Sequence, residues 1–280
     1  MLASPVPRET LVHVVKTLPA APLILSRLGQ LLLDLDSGLD DITELLRHDA
    51  ALTTHIIRIA NSAAYNTTVP FSSLEEALAR VGLSEVYRLA GFAAVAQLAD
   101  RSLPFYGITG AQLRENSLLT ALAMEALAGA AGLDPRAAYT AGLLRSTGKI
   151  ALDRLTRDRA YRSDYTVRGH GPLGEWEIGF VGLTNCEAAG IILDMWHFPS
   201  KTIAAIRDHY APTAASAELT RLLNIAAGAA ERCGHGLPGE YCYWDLSPAR
   251  LADAGLDAAA VDAATRHALQ LFGPIRAALA

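Results

Sequence analysis

Apolar residues in this chain recur at helical spacing, and no stretch long enough to form a strand alternates apolar with polar. Val86, Leu89, Ala93 and Ala96 share one face of a 3.6-residue period. Start signals punctuate the pattern. Ser72-x-x-Glu75 and Thr184-x-x-Glu187 read as capping boxes, in which a hydroxyl and a carboxylate satisfy orphan amides at a helix start. Asp134-Pro135 and Ser247-Pro248 place a capping side chain before a first-turn proline, and Asp257 opens a last helix running toward Ala280. The expected fold class is all-α.

Hydrophobic residues make up 51% of the 280 and charged residues 19%, so a sizeable core is expected and global disorder is not. Formal net charge is −5, which argues against a nucleic-acid-coating protein, since neutralising phosphates takes a clustered basic surface. Cys186, Cys233 and Cys242 match no zinc or redox spacing and read as small buried residues in a reducing compartment. The N-terminus lacks the apolar region of a signal peptide. The longest charge-free run, residues 59–74, carries too many polar side chains and a proline to cross a bilayer. A soluble, cytoplasmic protein is expected, with no membrane contact.

Residues 103–110, rich in Pro and Gly, form the best linker candidate. They divide two expected lobes, 1–108 and 109–280. Residues 166–174 and 233–248 read as further irregular segments.

In the first lobe, Asp49 precedes a helical pattern ending Ile-Ala-Asn61-Ser62-Ala-Ala-Tyr65, followed by a capped segment ending at Gly82. Asn61 and Ser62 fall where helix-end carbonyls need donors, so a bridge from helix end to loop is the expected role. In the second lobe, residues 139–152 hold an apolar run, a Gly148-Lys149 turn and a second apolar run. Trp196-His-Phe-Pro199 and Asp208-His-Tyr210 follow. Together these segments, about residues 10–235, resemble the HDOD family, the HD-related output domains of bacterial signalling proteins. The resemblance implies two packed helical lobes, the second a degenerate HD-domain bundle, with Asp49, Asn61, Ser62 and Tyr65 as the structural signature.

It also implies where an HD hydrolase keeps its metal ligands. Those positions fall on Asn116, on Arg145-Ser146 in place of His-Asp, on Asn185, on His209 and near Gly228. Only His209 keeps a ligand. One imidazole cannot hold a catalytic cation that takes three or more protein ligands, and Arg145 brings a permanent positive charge instead. No metal or other cofactor is therefore expected, and no catalytic residue. His48-Asp49 spells HD in the wrong lobe, and His55 lies about 10 Å further along a helix, too far to share an ion with His48. His170 reads as a loop side chain, and His197, between Trp196 and Phe198, as half-buried.

Arg145 and Lys149, four residues apart, read as one helix face with two outcomes: an ion pair with a nearby acid, or a phosphate-binding pair. Asn116, Arg145, Ser146, Lys149, Asn185 and His209 are thus the remnant-pocket positions. The leading expectation is a non-catalytic signalling module that binds another protein, such as a cyclic-dinucleotide enzyme or a two-component protein. The alternative is a receptor for a nucleotide or cyclic dinucleotide. A metal-dependent phosphohydrolase is the least supported. Partner contacts are expected in the cleft between lobes. Tyr241, Tyr243 and Trp244 are expected to cover apolar surface or make a homodimer contact.

Overall fold

The computed structural model describes residues 8–18, 21–31, 39–61, 70–157, 165 and 171–277. They are all-α: no strand forms among them beyond an isolated bridge between Leu103 and Ile108. The helices are α1 (Arg8–Thr17), α2 (Ala21–Leu31), α3 (Leu39–Arg47), α4 (Ala50–Ala60), α5 (Leu74–Val81), α6 (Leu83–Leu98), α7 (Gly110–Ala131), α8 (Pro135–Leu144), α9 (Thr147–Arg157), α10 (Leu173–Val181), α11 (Asn185–Met195), α12 (Ser200–Asp208), α13 (Glu218–Ala230), α14 (Pro248–Asp253) and α15 (Ala258–Ala277). No single helix among the described residues is long and apolar enough to cross a membrane.

Helix α6 gathers α2, α4 and α5 around it, with Val86, Leu89 and Ala93 wholly buried. Helix α7 is the axis of the second half, flanked by α8, α13 and α15. It is buried around most of its circumference, which explains why its apolar residues show no single stripe. Helix α11 lies between α9 and α12, while α1 on α9 and α6 on α8 join the two halves. Two glycines set these spacings. A Cβ at Gly142 would lie 2.7 Å from the Ala121 Cα of α7, and one at Gly148 would lie 1.8 Å from the Asn185 carbonyl oxygen of α11. Backbones thus meet backbones where α8 crosses α7 and where α9 crosses α11.

Most start signals act as read. Thr184–Glu187 closes a full capping box, and Asp134, Ser247 and Asp257 each accept from an amide in the first turn they precede. Thr109–Gln112 forms a second full box that opens α7. The box at Ser72 is displaced by one residue. Ser73 is the cap of α5, accepting from the Glu76 amide, while the Glu76 carboxylate returns to the Ser72 amide. Two serines precede two glutamates there, and burial of Leu74 in the first turn selects between the registers.

Asp49 caps α4 by accepting from the Leu52 amide, and His48 beside it is exposed. Asn61 ends α4 as expected: its amide donates to the Phe71 carbonyl at 2.9 Å and its carbonyl accepts from the Phe71 amide at 2.7 Å. Ser62, Tyr65, His170 and the His55 side chain lie outside the described residues. Replacing Asn61 by alanine leaves both Phe71 backbone groups without their partner. We expect a loss of about 1–3 kcal/mol in urea unfolding, with the slope of the transition unchanged.

Residues 103–110, the linker candidate, form a packed turn, with Phe105 and Tyr106 buried and Gly107 at φ 63° closing it. The Phe105 ring lies 4.2 Å from Trp176, and its amide donates to Asp153. His197 is exposed rather than half-buried: it ends α11 with φ 57°, turning its side chain outward as Trp196 and Phe198 turn inward. Cys186 is buried, but Cys233 is only partly so and Cys242 is exposed.

Candidate functional site

Helix α8 ends at Leu144 with Arg145 as its C-cap, and α9 begins at Thr147, so Arg145 and Lys149 are not neighbours on one helix. Arg145 stands on the last turn of one helix and Lys149 in the first turn of the next. Both side chains are buried, at 1% and 0% exposure. They converge on Glu240, which is equally buried and comes from the segment after α13.

That segment leaves α13 through a π-helical turn, Glu231–His235, with Gly234 at φ 81°. It continues as a strap, residues 236–244. Gly239, at φ 83°, passes so close to Tyr165 that a Cβ would lie 2.5 Å from the ring. The Glu240 carboxylate then meets Arg145 edge to edge: Nη1 donates to Oε1 at 3.1 Å and Nη2 to Oε2 at 2.8 Å. The Lys149 ammonium lies 2.9 Å from Oε1, and the Tyr210 hydroxyl donates to the same oxygen at 2.7 Å. Lys149 also donates to the Tyr210 hydroxyl, at 2.7 Å. Two cations and a phenol thus share one carboxylate. Burial alone would raise the Glu240 pKa, but the charges of Arg145 and Lys149 outweigh it and hold the carboxylate well below its usual range.

A second carboxylate stands beside them. Glu177, on α10, accepts from the Tyr106 hydroxyl at 2.7 Å, the Asn185 amide at 2.9 Å and the Asn185 side chain at 3.0 Å. Burial pushes its pKa up, against the lowering by Lys149 and those hydrogen bonds. Aromatic rings roof the cluster. Tyr243 stacks on Tyr210 with ring centroids 4.2 Å apart, and Trp244 lies 5.4 Å from the Arg145 guanidinium, within cation–π range.

All six remnant-pocket positions are buried, and the side chains of five of them are already engaged. Asn116 accepts from Arg145 Nη2 at 2.6 Å and donates to the His235 carbonyl at 2.7 Å. Asn185 serves Glu177. His209 Nδ1 donates to the Ile206 carbonyl at 2.7 Å, which leaves Nε2 as a buried lone pair without a partner. Ser146 Oγ and Arg145 Nε are likewise buried without partners. At Gly228 a side chain would meet Trp244, whose Cβ lies 3.0 Å from a built Cβ, so the strap fills the space an aspartate would take.

These residues do not fit a divalent cation. Of the six positions only His209 offers a metal-binding lone pair, and the Glu240 and Glu177 carboxylates are held by the protein's own cations, amides and phenols. Burial, then the charge of Arg145, lowers the His209 pKa to about 3. With its folded pKa below the unfolded one, His209 favours folding above the unfolded value and loses that contribution as pH falls toward 3. We expect its imidazole resonances in NMR to stay at neutral-form shifts from pH 8 down to pH 4.

Glu240, Glu177, Tyr106, Tyr210, Tyr243 and Trp244 were not among the sequence candidates. The sequence offered Arg145 and Lys149 an acid partner as one of two outcomes. The acid is 95 positions from Arg145, and nothing in the sequence pairs the two.

The HDOD domain model matches residues 18–212. Among solved structures, an HDOD domain protein from Geobacter sulfurreducens superposes with a TM-score of 0.65 at 21% identity, over 98% of both chains. A candidate phosphohydrolase from Shewanella amazonensis SB2B gives 0.62 at 20% identity, over 97% of this chain and 98% of that one. A candidate signal transduction protein from Marinobacter aquaeolei VT8 gives 0.67 at 18% identity, over 97% of this chain and 64% of that one. At such identities these likenesses speak for the fold alone. Among curated proteins none matches significantly. The matched domain spans well over half of the sequence and holds the Asn61 bridge and all six remnant-pocket positions: this chain belongs to the HDOD family.

Proposed function

We propose that this protein is a non-catalytic module of bacterial signal transduction, acting by binding another protein. The observation that carries the reading is Glu240 between Arg145 and Lys149, where the resemblance puts the metal of an HD hydrolase. A metal hydrolase needs a cation that lowers the pKa of a bound water and polarises a phosphoryl oxygen. Here that place is taken by a buried ion-pair network, which can hold helices in fixed positions but supplies no such water. Family membership supports a signalling role, with a cyclic-dinucleotide enzyme or a two-component protein as the class of partner.

The cleft between the two halves is the contact surface in this reading. It holds a cavity of about 330 Å³ among Ser26 and Gln30 of α2, Tyr87 of α6, Arg136 of α8, and His197 and Thr202. His197 keeps a left-handed backbone there, a conformation costly for a non-glycine residue and found at functional sites. The test is quantitative affinity purification from the native host with the full chain and with Ser26→Arg/Gln30→Arg. A stoichiometric partner should fall at least tenfold with the variant, and neither protein should hydrolyse phosphoesters above the blank. Equal recovery from both, or metal-stimulated turnover, would contradict the reading.

A further inference from the structure

The carboxylate of Glu240 occupies a cradle that offers more than a carboxylate can use. Four contacts reach its two oxygens: both terminal nitrogens of Arg145, the Lys149 ammonium and the Tyr210 hydroxyl. Arg145 Nε, on the guanidinium that holds it, is buried with no partner. Buried polar groups are nearly always paired, so an unpaired donor at a doubly cationic centre calls for an acceptor that the present occupant does not provide. An anion with three free oxygens and a charge nearer −2 supplies more lone pairs and answers both cations.

The geometry points to an oxyanion receptor whose resident ligand is the chain's own Glu240: we propose that a phosphate or phosphate monoester binds Arg145, Lys149 and Tyr210 by displacing the strap. The way in is present. A cavity of about 490 Å³ opens on the surface beside Thr184, Cys186, Arg207, Ser216 and the Tyr210–Tyr243 pair. Tyr210 belongs to both sides, lining the mouth and donating to Glu240 behind it. Its stacked partner Tyr243 is a strap residue whose hydroxyl accepts from the Gly174 amide at 2.9 Å. A ligand entering there meets the very contacts that hold the strap down. The strap itself hangs from a π-helical turn and turns at Gly234 and Gly239, both in the left-handed region.

Glu240 then acts as an internal competitor. A ligand that binds only the strap-open form has its apparent affinity reduced by the fraction of molecules in that form. Neutralising the competitor while keeping its shape must raise the affinity. This inference is independent of partner binding at the cleft, and either can fail alone.

The experiment is calorimetric titration of the full chain with inorganic phosphate, AMP and adenosine at pH 7.5 and constant ionic strength, combined with hydrogen exchange. Glu240→Gln should bind phosphate at least tenfold more tightly than the wild type, and AMP should bind where adenosine does not. The double variant Arg145→Met/Glu240→Gln, which leaves no acid facing an unpaired guanidinium, should lose that binding. Saturating phosphate should speed exchange at the Glu240 and Tyr243 amides, which bond within the strap to Leu237 and Glu240. Four results would each overturn the proposal: no phosphate binding to either protein, equal affinity in wild type and Glu240→Gln, retained binding in the double variant, or binding that leaves strap exchange unchanged. Adenosine binding as tightly as AMP would do the same.

Discussion

Replacing Glu240 by leucine should cost about 3–5 kcal/mol in urea unfolding at pH 7, because it leaves Arg145 and Lys149 buried with no counter-charge in contact. The loss is not the strength of an isolated bond. It is mostly the cost of two desolvated cations facing each other once the shared carboxylate is gone. That distinction has its own consequence. The triple variant Arg145→Met/Lys149→Met/Glu240→Leu removes charge along with partner, and should recover most of the stability that the single variant loses. The network also carries a pH signature. Glu240 titrates below its unfolded value of about 4.5. Its contribution is therefore complete above that value and is lost as pH falls through the folded pKa. The stability gap between wild type and Glu240→Gln should be constant from pH 8 to pH 6 and should narrow below pH 4.5.

Gly148→Ala should have an effect of similar size by another route. The added methyl would sit 1.8 Å from the Asn185 carbonyl oxygen and 2.8 Å from the Ala189 nitrogen, both backbone atoms of α11. No side chain can rotate aside, so α9 and α11 must separate. Alanine is the better helix former by about 1 kcal/mol, which makes glycine here a packing requirement. Overpacking against a rigid backbone costs about 3 kcal/mol or more. Moving α11 also withdraws Asn185 from Glu177, so the site and the helix contact should fail together. We expect an unfolding midpoint far below the wild type, and loss of the protection from exchange that the Asn185 amide gains by donating to Glu177.

How much of this was legible depended on whether the cause was local. Helices follow from local spacing, and caps at Asp134, Thr184, Ser247 and Asp257 act within a turn of themselves. The Asn61 bridge reaches only to Phe71, and the need of a helix end for donors pointed to it. At Ser72 and Ser73 two registers satisfy the same local rule, and only tertiary burial of Leu74 separates them. The packed turn at Phe105 and Tyr106 was hidden because proline and glycine mark a turn without saying whether it is buried. Its partners, Asp153, Trp176 and Glu177, are all distant in sequence. The resemblance implies that Arg145-Ser146 stand where an HD hydrolase keeps metal ligands. The acid that meets Arg145 was not legible, because a salt bridge across 95 positions is fixed by the path of the strap rather than by any spacing.

The central claim is that the chain's own charges close the place where a metal would sit. A crystal structure grown in excess Mn²⁺, with anomalous scattering recorded at the manganese edge, tests it most directly. The account predicts no anomalous peak within bonding distance of His209 or Glu177, with the Glu240 carboxylate still on Arg145 and Lys149. A full-occupancy manganese bound by His209 together with Glu177 or Glu240, and Arg145 swung away, would contradict it.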